Sequence, residues 1–400
     1  MKNVCLLTLL LYLNTGSAAS PPAPDPGSGS TSTGGSPFPL QLEARVPFAP
    51  TAFPSAGRTY VAYELYVTNF SASPMTLGRV DVLDAQETSS KPIATFEGEQ
   101  LDALLQTIGT QPPAGKSDLR QLSGGATVVA FMWIPFENGA RVPDQLLHRV
   151  VTTDSSSLEG ALISTRRTEL HLLAAPLQGA GWMASDGPSN DPSNHHRRGV
   201  LVLNGQLTLS RRFATDWFLY KNGASTSRDP HDLHSYPSYG QPVLAVADAT
   251  VVKARGGLPN NVPGPVATFH PAVPITMDTV GGNNIVLDLG GGQYAWYFHL
   301  KPGSLRVKAG EHVRHGQLLA QIGCSGDPPV PHLHFEVTTS STLLAGDGVP
   351  YLIDHYRLWT SDKVWEAHTR ELPLNGMLID FGAGEPVTSA ASAHSETLAL

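Results

Sequence analysis

Cysteine is scarce in this sequence: its 400 residues include two, Cys5 and Cys324. Cys5 lies in an apolar N-terminal run that we expect to be removed, so Cys324 would be the one thiol of the mature chain. No intrachain disulfide can then form, and the fold has to be stabilised by packed apolar cores. Cys324 lies in the turn-like stretch GCSGD without a convincing His/Asn signature, and we therefore expect it to be structural.

Long apolar runs are also missing. The run VCLLTLLLYL follows Lys2 and precedes the small residues NTGSAAS. It is shorter than the ~20 residues that a membrane-spanning helix needs, and its pattern is typical of a secretory signal peptide. We predict a signal peptide over residues 1–19, a secreted or periplasmic location, and no stable membrane insertion after its removal.

Positive charge is limited: 26 Lys and Arg stand against 34 Asp and Glu, and the formal net charge is −8. Nucleic-acid phosphates and anionic membrane surfaces are bound by clustered basic residues. Because the sequence has no basic run, it predicts no nucleic-acid partner and no polybasic membrane patch.

The length favours two folded domains flanked by tails. A Pro/Gly/Ser-rich stretch predicts a flexible linker over residues 20–38, and residues 383–400 lack a core pattern and predict a disordered tail. We predict a β-sandwich module over 39–180 and a second β domain over 181–382.

In the first half of the sequence, residues alternate with the two-residue period of β-strands. TYVAYELYVTNF and GRVDVLDA have the pattern of half-buried strands, GATVVAFMWIPF that of a more fully buried one, and TELHLLAAPL closes the series. LDALLQTIG predicts one short helix. Several short strands separated by turn residues favour a sandwich, and the lack of clustered ionisable residues indicates a binding or positioning module.

The second half is also β, with short strands joined by tight turns such as GGNN and LGGGQ. No helix pattern of convincing length occurs between residues 196 and 340. Near the end, YLIDHYRLWTSDKVWEAHTRELPL fits neither the helix nor the strand period well. The chain as a whole is therefore predicted to be mainly β.

The stretch PHLHFEV, residues 331–337, has an unusual alternation. A strand would place its three apolar residues on one face and His332, His334 and Glu336 on the other. A solvated sheet edge explains this pattern. A metal site explains it too, since neutral imidazole is a favoured zinc ligand.

Two further segments add to this face. His299 ends the strand pattern YAWYFHL, and Asp216 lies in RRFATDW. Alone, Asp216 is more often a cap or turn carboxylate, and His299 is more often a satisfied core histidine. Together with the HxH pair, they form the parts of hydrolytic zinc chemistry, in which the metal acidifies a water and a nearby base takes its proton.

This order of residues resembles the lysostaphin-type zinc metalloendopeptidases, which cut peptidoglycan cross-bridges and have an HxH motif. The resemblance covers about residues 195–340 and rests on RFATDW, YGQPVLAVADATVVKA, NNIVLDLGGGQYAWYFHL and GEHVRHGQLLAQIGCSGDPPVPHLHFEV. It implies a C-terminal lysostaphin-like antiparallel β-sheet domain over 181–382, a Zn²⁺ cofactor, and peptidoglycan or another peptide as substrate. It also implies Asp216 and His334 as metal ligands, His332 as catalytic base, and His299 as a catalytic group at the water or the developing oxyanion.

One position departs from the family pattern His-x-Gly-x-Asp. Arg212 occupies the place of the first zinc ligand. A guanidinium stays protonated and has no lone pair to give, so Arg212 cannot coordinate zinc. Two protein ligands would be one fewer than is usual for catalytic zinc.

A neighbouring strand offers a replacement. Asn204-Gly205 lies between two alternating runs, which is a strong hairpin signal. If the strand pairing set by a two-residue turn continues along both strands, His195 lies opposite Ala214. It then lies on the same face as Asp216, the predicted carboxylate ligand. We therefore predict His195 as the third metal ligand. A shift of the pairing register by one residue would place His196 there instead. Alternatively, the HHRR stretch is a solvated loop and supplies no ligand.

Two functions follow from these patterns. The first is an exported zinc endopeptidase that hydrolyses peptide bonds, with peptidoglycan as the expected substrate. The alternative is a catalytically inactive lysostaphin-like domain that binds cell wall or regulates another wall hydrolase. Arg212 favours the alternative, in which it would pair with Asp216, whereas the three histidines His299, His332 and His334 favour the enzyme.

Overall fold

Strands make up most of the regular structure in the computed structural model, which describes residues 39–87, 91–108, 118–166, 168 and 170–382. The fold is mainly β, as predicted. The signal peptide predicted over 1–19, the linker predicted over 20–38 and the tail predicted over 383–400 lie outside the described residues. Within the described ranges, no helix is both long and apolar enough to cross a membrane.

The first ten strands form two antiparallel sheets that enclose an apolar core. One sheet has the order β1-β3-β8-β6, with β2 on β3; the other has the order β10-β9-β4-β5, with β7 on β4. A helix, α1 (Gly98–Leu104), lies between β5 and β6 in the chain and packs against β4, β5 and β8. The strands are β1 (Leu42–Arg45), β2 (Phe53–Ser55), β3 (Arg58–Asn69), β4 (Met75–Asp84), β5 (Ala94–Glu97), β6 (Leu105–Thr107), β7 (Gln121–Leu122), β8 (Thr127–Glu137), β9 (Gln145–Thr152) and β10 (Ser157–Ser164).

Strand β3 is buried on both faces, so the expectation that it is half-buried is wrong. Its odd-numbered residues from Val61 to Val67 enter the sandwich core. Its other face lies against the second half of the chain, where Ala62 joins the C-terminal core and Tyr66 packs with Leu209. Glu64 lies on this covered face, 4% exposed. The alternation of residues within β3 could not predict that the second half of the chain covers its other face.

The second half is built on one eleven-stranded sheet. Its order is β11-β23-β25-β12-β15-β22-β19-β18-β17-β20, with β24 on β23; β13 pairs with β14, and β16 with β21. The strands are β11 (Leu172–Leu173), β12 (Ala180–Ser185), β13 (Leu201–Leu203), β14 (Gln206–Thr208), β15 (Thr215–Leu219), β16 (Pro242–Leu244), β17 (Ala249–Arg255), β18 (Asn283–Gly290), β19 (Gln293–Leu300), β20 (His312–Val313), β21 (Leu318–Gln321), β22 (Leu333–Thr338), β23 (Leu352–Trp359), β24 (Trp365–Glu371) and β25 (Leu378–Asp380).

Several segments differ in detail from their sequence patterns. The helix expected in LDALLQTIG ends at Leu104, and the next three residues continue as β6. The ambiguous segment after residue 350 forms the hairpin β23–β24. TELHLLAAPL contributes β11, which pairs with β23 in the large sheet. The domain boundary at residues 180–181 stays a prediction.

Strands β15, β22 and β19 lie side by side in the middle of the large sheet. Trp217, Leu333 and Phe335 point to one face and join the C-terminal core. Because side chains alternate, Asp216 and His334 point to the opposite face. The register places these two residues directly across from each other on β15 and β22.

Candidate metal centre

Asp216 and His334 form the centre of a buried polar cluster. His334 Nδ1 lies 2.9 Å from Asp216 Oδ1. Both residues are 6% exposed. Directly opposed residues on neighbouring strands lie close enough to interact, so the sheet register itself produces this contact.

Glu336 holds the far side of the His334 ring. His334 Nε2 lies 3.3 Å from Glu336 Oε2, and Glu336 is 1% exposed. When Nε2–H donates to Glu336, the Nδ1 lone pair is free to bind a metal beside Asp216, as is usual for metal-binding histidines. The alternation of PHLHFEV puts Glu336 on this face, although sequence reasoning gave it no role.

The His334 ring also holds a proton readily. Burial disfavours its charged form, but hydrogen bonds to Asp216 and Glu336 outweigh burial and raise the pKa of His334 to about 9. A metal ion at Nδ1 would take the place of that proton, because a ligating imidazole must be neutral.

His196 approaches Asp216 from outside the sheet. Its Nε2 lies 3.7 Å from Asp216 Oδ1, and its ring centroid is 4.6 Å from that of His334. Its Nδ1 lies 2.8 Å from the Asp186 carbonyl oxygen. Burial holds the pKa of His196 well below its usual value. The ring is therefore neutral, with Nδ1–H donating and a lone pair at Nε2.

The predicted hairpin explains this placement only in part. Strands β13 and β14 pair in the predicted register across Asn204-Gly205. The extension that would set His195 opposite Ala214 is wrong, because residues Ser210–Phe213 form a 3-10 turn and the other arm turns back at Arg198, whose N–H donates to the Asn194 carbonyl.

His195 itself lies at the rim of the cluster. Its side chain is 55% exposed, with Nδ1 3.2 Å from Asp186 Oδ2. Ligand atoms of His195, His196 and Asp216 all lie within 4.8 Å of one another. A ligand role for His195 stays a prediction. His196, the residue that a slip by one would select, is the buried one of the pair.

His332 and His299 complete the cluster. His332 Nε2 lies 3.3 Å from Asp216 Oδ1, and its ring centroid is 5.0 Å from that of His299. His299 Nε2 lies 3.7 Å from Asp327 Oδ1. His299 has a positive φ of 61°, a conformation that is uncommon for a residue other than glycine and is often found at functional sites.

Three of the four buried histidines in this cluster share one hydrogen-bonding pattern. Nδ1 of His196, His299 and His332 each lies within 3.0 Å of a backbone carbonyl oxygen, belonging to Asp186, Ser325 and Val330 respectively. A carbonyl only accepts, so each Nδ1 carries the hydrogen. In the neutral ring, Nε2 then offers a lone pair to the cluster.

Arg212 points away from the cluster. Its Nη2 lies 2.6 Å from Glu64 Oε2 and 3.0 Å from Asp347 Oδ1, and its Nη1 donates to the Gly348 carbonyl at 2.8 Å. The pairing with Asp216 that an inactive site would favour is not what this side chain forms. Arg212 therefore does not occupy the space beside Asp216 and His334.

The donor atoms suit a zinc ion. Asp216 Oδ1, His334 Nδ1 and His196 Nε2 are a carboxylate oxygen and two imidazole nitrogens, a set typical of catalytic zinc with one position open. Ligand atoms in a tetrahedral site with bonds of about 2.0–2.1 Å lie about 3.3 Å apart. The distances of 2.9 Å and 3.7 Å from Asp216 Oδ1 to the two nitrogens bracket that spacing.

Comparison with known proteins gives the class. Residues 233–345 match the family described as Peptidase family M23. The match includes His299, His332 and His334 and begins after Asp216. Together with the similarities to lysostaphin and ALE-1, the match shows that this part of the chain resembles the lysostaphin-type M23 peptidases.

Individual relatives cover part of the chain. Lysostaphin from Staphylococcus staphylolyticus is 37% identical over 75 residues, which are 18% of this chain and 15% of that protein. Glycyl-glycine endopeptidase ALE-1 from Staphylococcus capitis is 31% identical over 120 residues, 29% of this chain and 27% of that protein. The chain thus spans less than a third of either relative. The solved catalytic domain of lysostaphin from Staphylococcus simulans is 22% identical, with a TM-score of 0.23, over 42% of this chain and 88% of that one.

Proposed function

We propose that the protein is a zinc-dependent endopeptidase that hydrolyses peptide bonds in peptidoglycan. The observation that carries this proposal is the approach of three metal-binding atoms, from Asp216, His334 and His196, to one another while Arg212 is turned away. The M23 match supports peptide-bond hydrolysis, and the signal-like pattern of residues 1–19 supports action outside the cytoplasm.

Asp216, His334 and His196 would hold the zinc ion. When bound, zinc lowers the pKa of a water and polarises the scissile carbonyl. Asp216 supplies the negative charge among the three ligands. Glu336 fixes the His334 ring through Nε2, and the Asp186 carbonyl fixes His196 through Nδ1, so both rings are oriented before a metal arrives.

His332 is suited to act as the general base. Its Nδ1–H is held by the Val330 carbonyl, and its Nε2 faces Asp216 Oδ1 at 3.3 Å. The carboxylate beside it raises the pKa of His332 against the opposing effect of burial, which strengthens it as a proton acceptor. The same nitrogen can then return the proton to the leaving amine.

His299 is better suited to orient the attacking water than to donate to an oxyanion. Burial keeps the pKa of His299 well below its usual value, so the ring is neutral. Its hydrogen is on Nδ1, bound to the Ser325 carbonyl at 3.0 Å. Nε2 therefore has a lone pair that can accept a hydrogen bond from water.

The test is metal analysis and peptide hydrolysis with the full mature chain. We expect one zinc per chain, and new amino termini when the protein is incubated with purified peptidoglycan. A glycine oligomer is the first defined substrate to try, because one relative is a glycyl-glycine endopeptidase. Chelation should abolish hydrolysis, and added zinc should restore it. Binding to cell wall without new amino termini would overturn the enzyme and favour the non-catalytic alternative.

A further inference from the structure

The HHRR turn is shared between the two halves of the molecule. His196 points to the metal centre, whereas the next two side chains point to the sandwich. Arg198 donates to the carbonyls of Leu104 and Ala103 at 3.0 and 2.8 Å. Arg197 is fully buried and donates to the Met132 carbonyl at 3.1 Å. Adjacent side chains of one turn thus contact both parts of the protein.

Glu64 is the anchor for this turn. It lies on the face of β3 that the second half covers, where the Arg197 guanidinium pairs with Oε1. The same guanidinium donates to the Tyr63 carbonyl at 3.0 Å. Arg212 pairs with Glu64 Oε2, so one buried carboxylate joins two guanidinium groups. Charge-assisted hydrogen bonds of this kind fix geometry more strongly than neutral ones.

The backbone of the turn connects the Arg197–Glu64 contact to the proposed ligand His196. Asn194 Oδ1 accepts from the Arg197 N–H at 2.8 Å, and the Asn194 amide donates to the Gly187 carbonyl at 2.7 Å. The position of Asp216 and His334 is set by pairing within the sheet. His196 is on a turn outside the sheet, so its place depends on these side-chain contacts.

We propose that Glu64 is a positioning residue for the metal ligand His196, acting through Arg197. The sandwich then belongs to the metal site, because one of its strands holds the turn that carries the third ligand. This inference rests on the proposed zinc site. It gives the sandwich a role that does not require it to bind any substrate.

The test compares two buried carboxylates of the sandwich in the full mature chain. Glu64→Gln keeps the size of the side chain but removes the charge that holds Arg197. We expect it to weaken zinc binding about 10–100-fold, the usual effect of losing a group that orients a ligand. Affinity is measured by competition with a chromophoric chelator, at a temperature where circular dichroism shows the variant to be folded.

Asp81→Asn is the matched control. Asp81 is 1% exposed, lies on β4 in the other sheet, and is paired with Arg79 Nε at 3.2 Å. Its loss should lower the melting temperature and leave zinc affinity unchanged. Equal zinc affinity of Glu64→Gln, Asp81→Asn and the unmodified protein would overturn the proposal.

Two further variants keep the test decisive if Glu64→Gln does not fold. Arg197→Lys keeps the charge but cannot reach Glu64 and both carbonyls at once, and should also weaken zinc binding. In a His196→Ala background, Arg197→Lys should have no further effect on the remaining affinity, since the turn then carries no ligand. If Arg197→Lys weakens zinc binding as much in the His196→Ala background as in the unmodified protein, the Arg197–Glu64 contact acts on stability alone. That result would overturn the proposal.

The outcomes separate this inference from the proposed function. Zinc bound through His196 and weakened by Glu64→Gln, with no peptide hydrolysis, would overturn the enzyme but support the positioning role. Hydrolysis and zinc binding that survive His196→Ala would overturn the positioning role and leave the enzyme standing. A wild-type chain that takes up no zinc would overturn both.

Discussion

At the residue scale, the two histidines of the HxH pair are both close to Asp216 but have different surroundings. His334 is held between two carboxylates, Asp216 and Glu336, at its two nitrogens. His332 is held by one backbone carbonyl and has one nitrogen facing the cluster. These surroundings suit a ligand and a base respectively, because a ligand has to be fixed and a base has to exchange a proton.

We predict that His334→Ala abolishes zinc binding, whereas His332→Ala keeps zinc and lowers turnover by about 10²–10⁴-fold. Zinc content after gel filtration and the rate of peptide hydrolysis measure the two effects. His315→Ala is a suitable control, because this exposed histidine contacts Asp248, away from the cluster. Equal zinc retention in the two HxH variants would contradict the division of roles.

At the scale of elements, local alternation predicted most strands but not what covers them. β3, β4 and β8 lie where their patterns indicated, because alternation with branched and aromatic residues is a local property. The burial of Glu64 depends on a turn that is over a hundred residues away in the chain. His196 differs from the hairpin prediction for a similar reason, since a 3-10 turn interrupts β-pairing before it reaches the histidines.

The sequence predicted those residues of the cluster that lie on or next to β-strands. Asp216, His299, His332 and His334 lie around one point because β15, β19 and β22 are neighbours, and their order along the chain indicated this. Their roles stay a prediction until tested. Asp327 was missed because it lies in an irregular loop. Glu336 was placed on the face of the HxH pair by the alternation, but its role was missed because its contact with the far side of the His334 ring depends on the folded geometry.

Strand β9 carries a second buried histidine system. His148 is fully buried, accepts from Tyr63 Oη at Nε2 over 2.7 Å, and donates from Nδ1 to the Ala161 carbonyl at 3.0 Å. Burial lowers the pKa of His148 to about 4. Below the unfolded value of about 6.5, the unfolded chain binds a proton that the folded chain excludes, so stability falls as the pH falls from about 6.5 to about 4.

We therefore predict that His148 accounts for about 3 kcal/mol of lost unfolding free energy between pH 7 and pH 4. The measurement is urea denaturation at several pH values with chelator present, so that zinc ligands do not contribute. His148→Gln should be less stable at pH 7 and should show a shallower loss on acidification. An identical pH slope in the two proteins would rule His148 out as the source.

At the scale of the whole molecule, the buried cluster of Glu64, Arg197 and Arg212 joins the sandwich to the large sheet. Arg212 also contacts Asp347 and the Gly348 carbonyl, so three distant parts of the chain meet there. Breaking a buried ion pair by removing one partner typically costs about 3–5 kcal/mol. The two halves should thus unfold together rather than one by one.

Cys324 offers a probe of this joint unfolding. It is fully buried, and burial raises the pKa of its thiol to about 12. In a Cys5→Ser variant, we predict that an alkylating reagent labels Cys324 only when the fold opens. Zinc at a hundred times its dissociation constant should slow labelling about 100-fold, equal to about 2.7 kcal/mol. A His334→Ala variant should show no slowing; if zinc protects it equally, the ion is bound elsewhere.

The separation of the proposed metal ligands along the chain also determines when they can come together during folding. Asp216 and His334 are 118 residues apart, and their contact depends on the pairing of β15 with β22. Such long-range pairing forms slowly, since the intervening chain must be closed into a loop. During synthesis, the sandwich and the His196 turn emerge long before β22. A nascent chain can therefore carry an assembled anchor while it still lacks the residue that completes the site, and it should gain metal only late in folding.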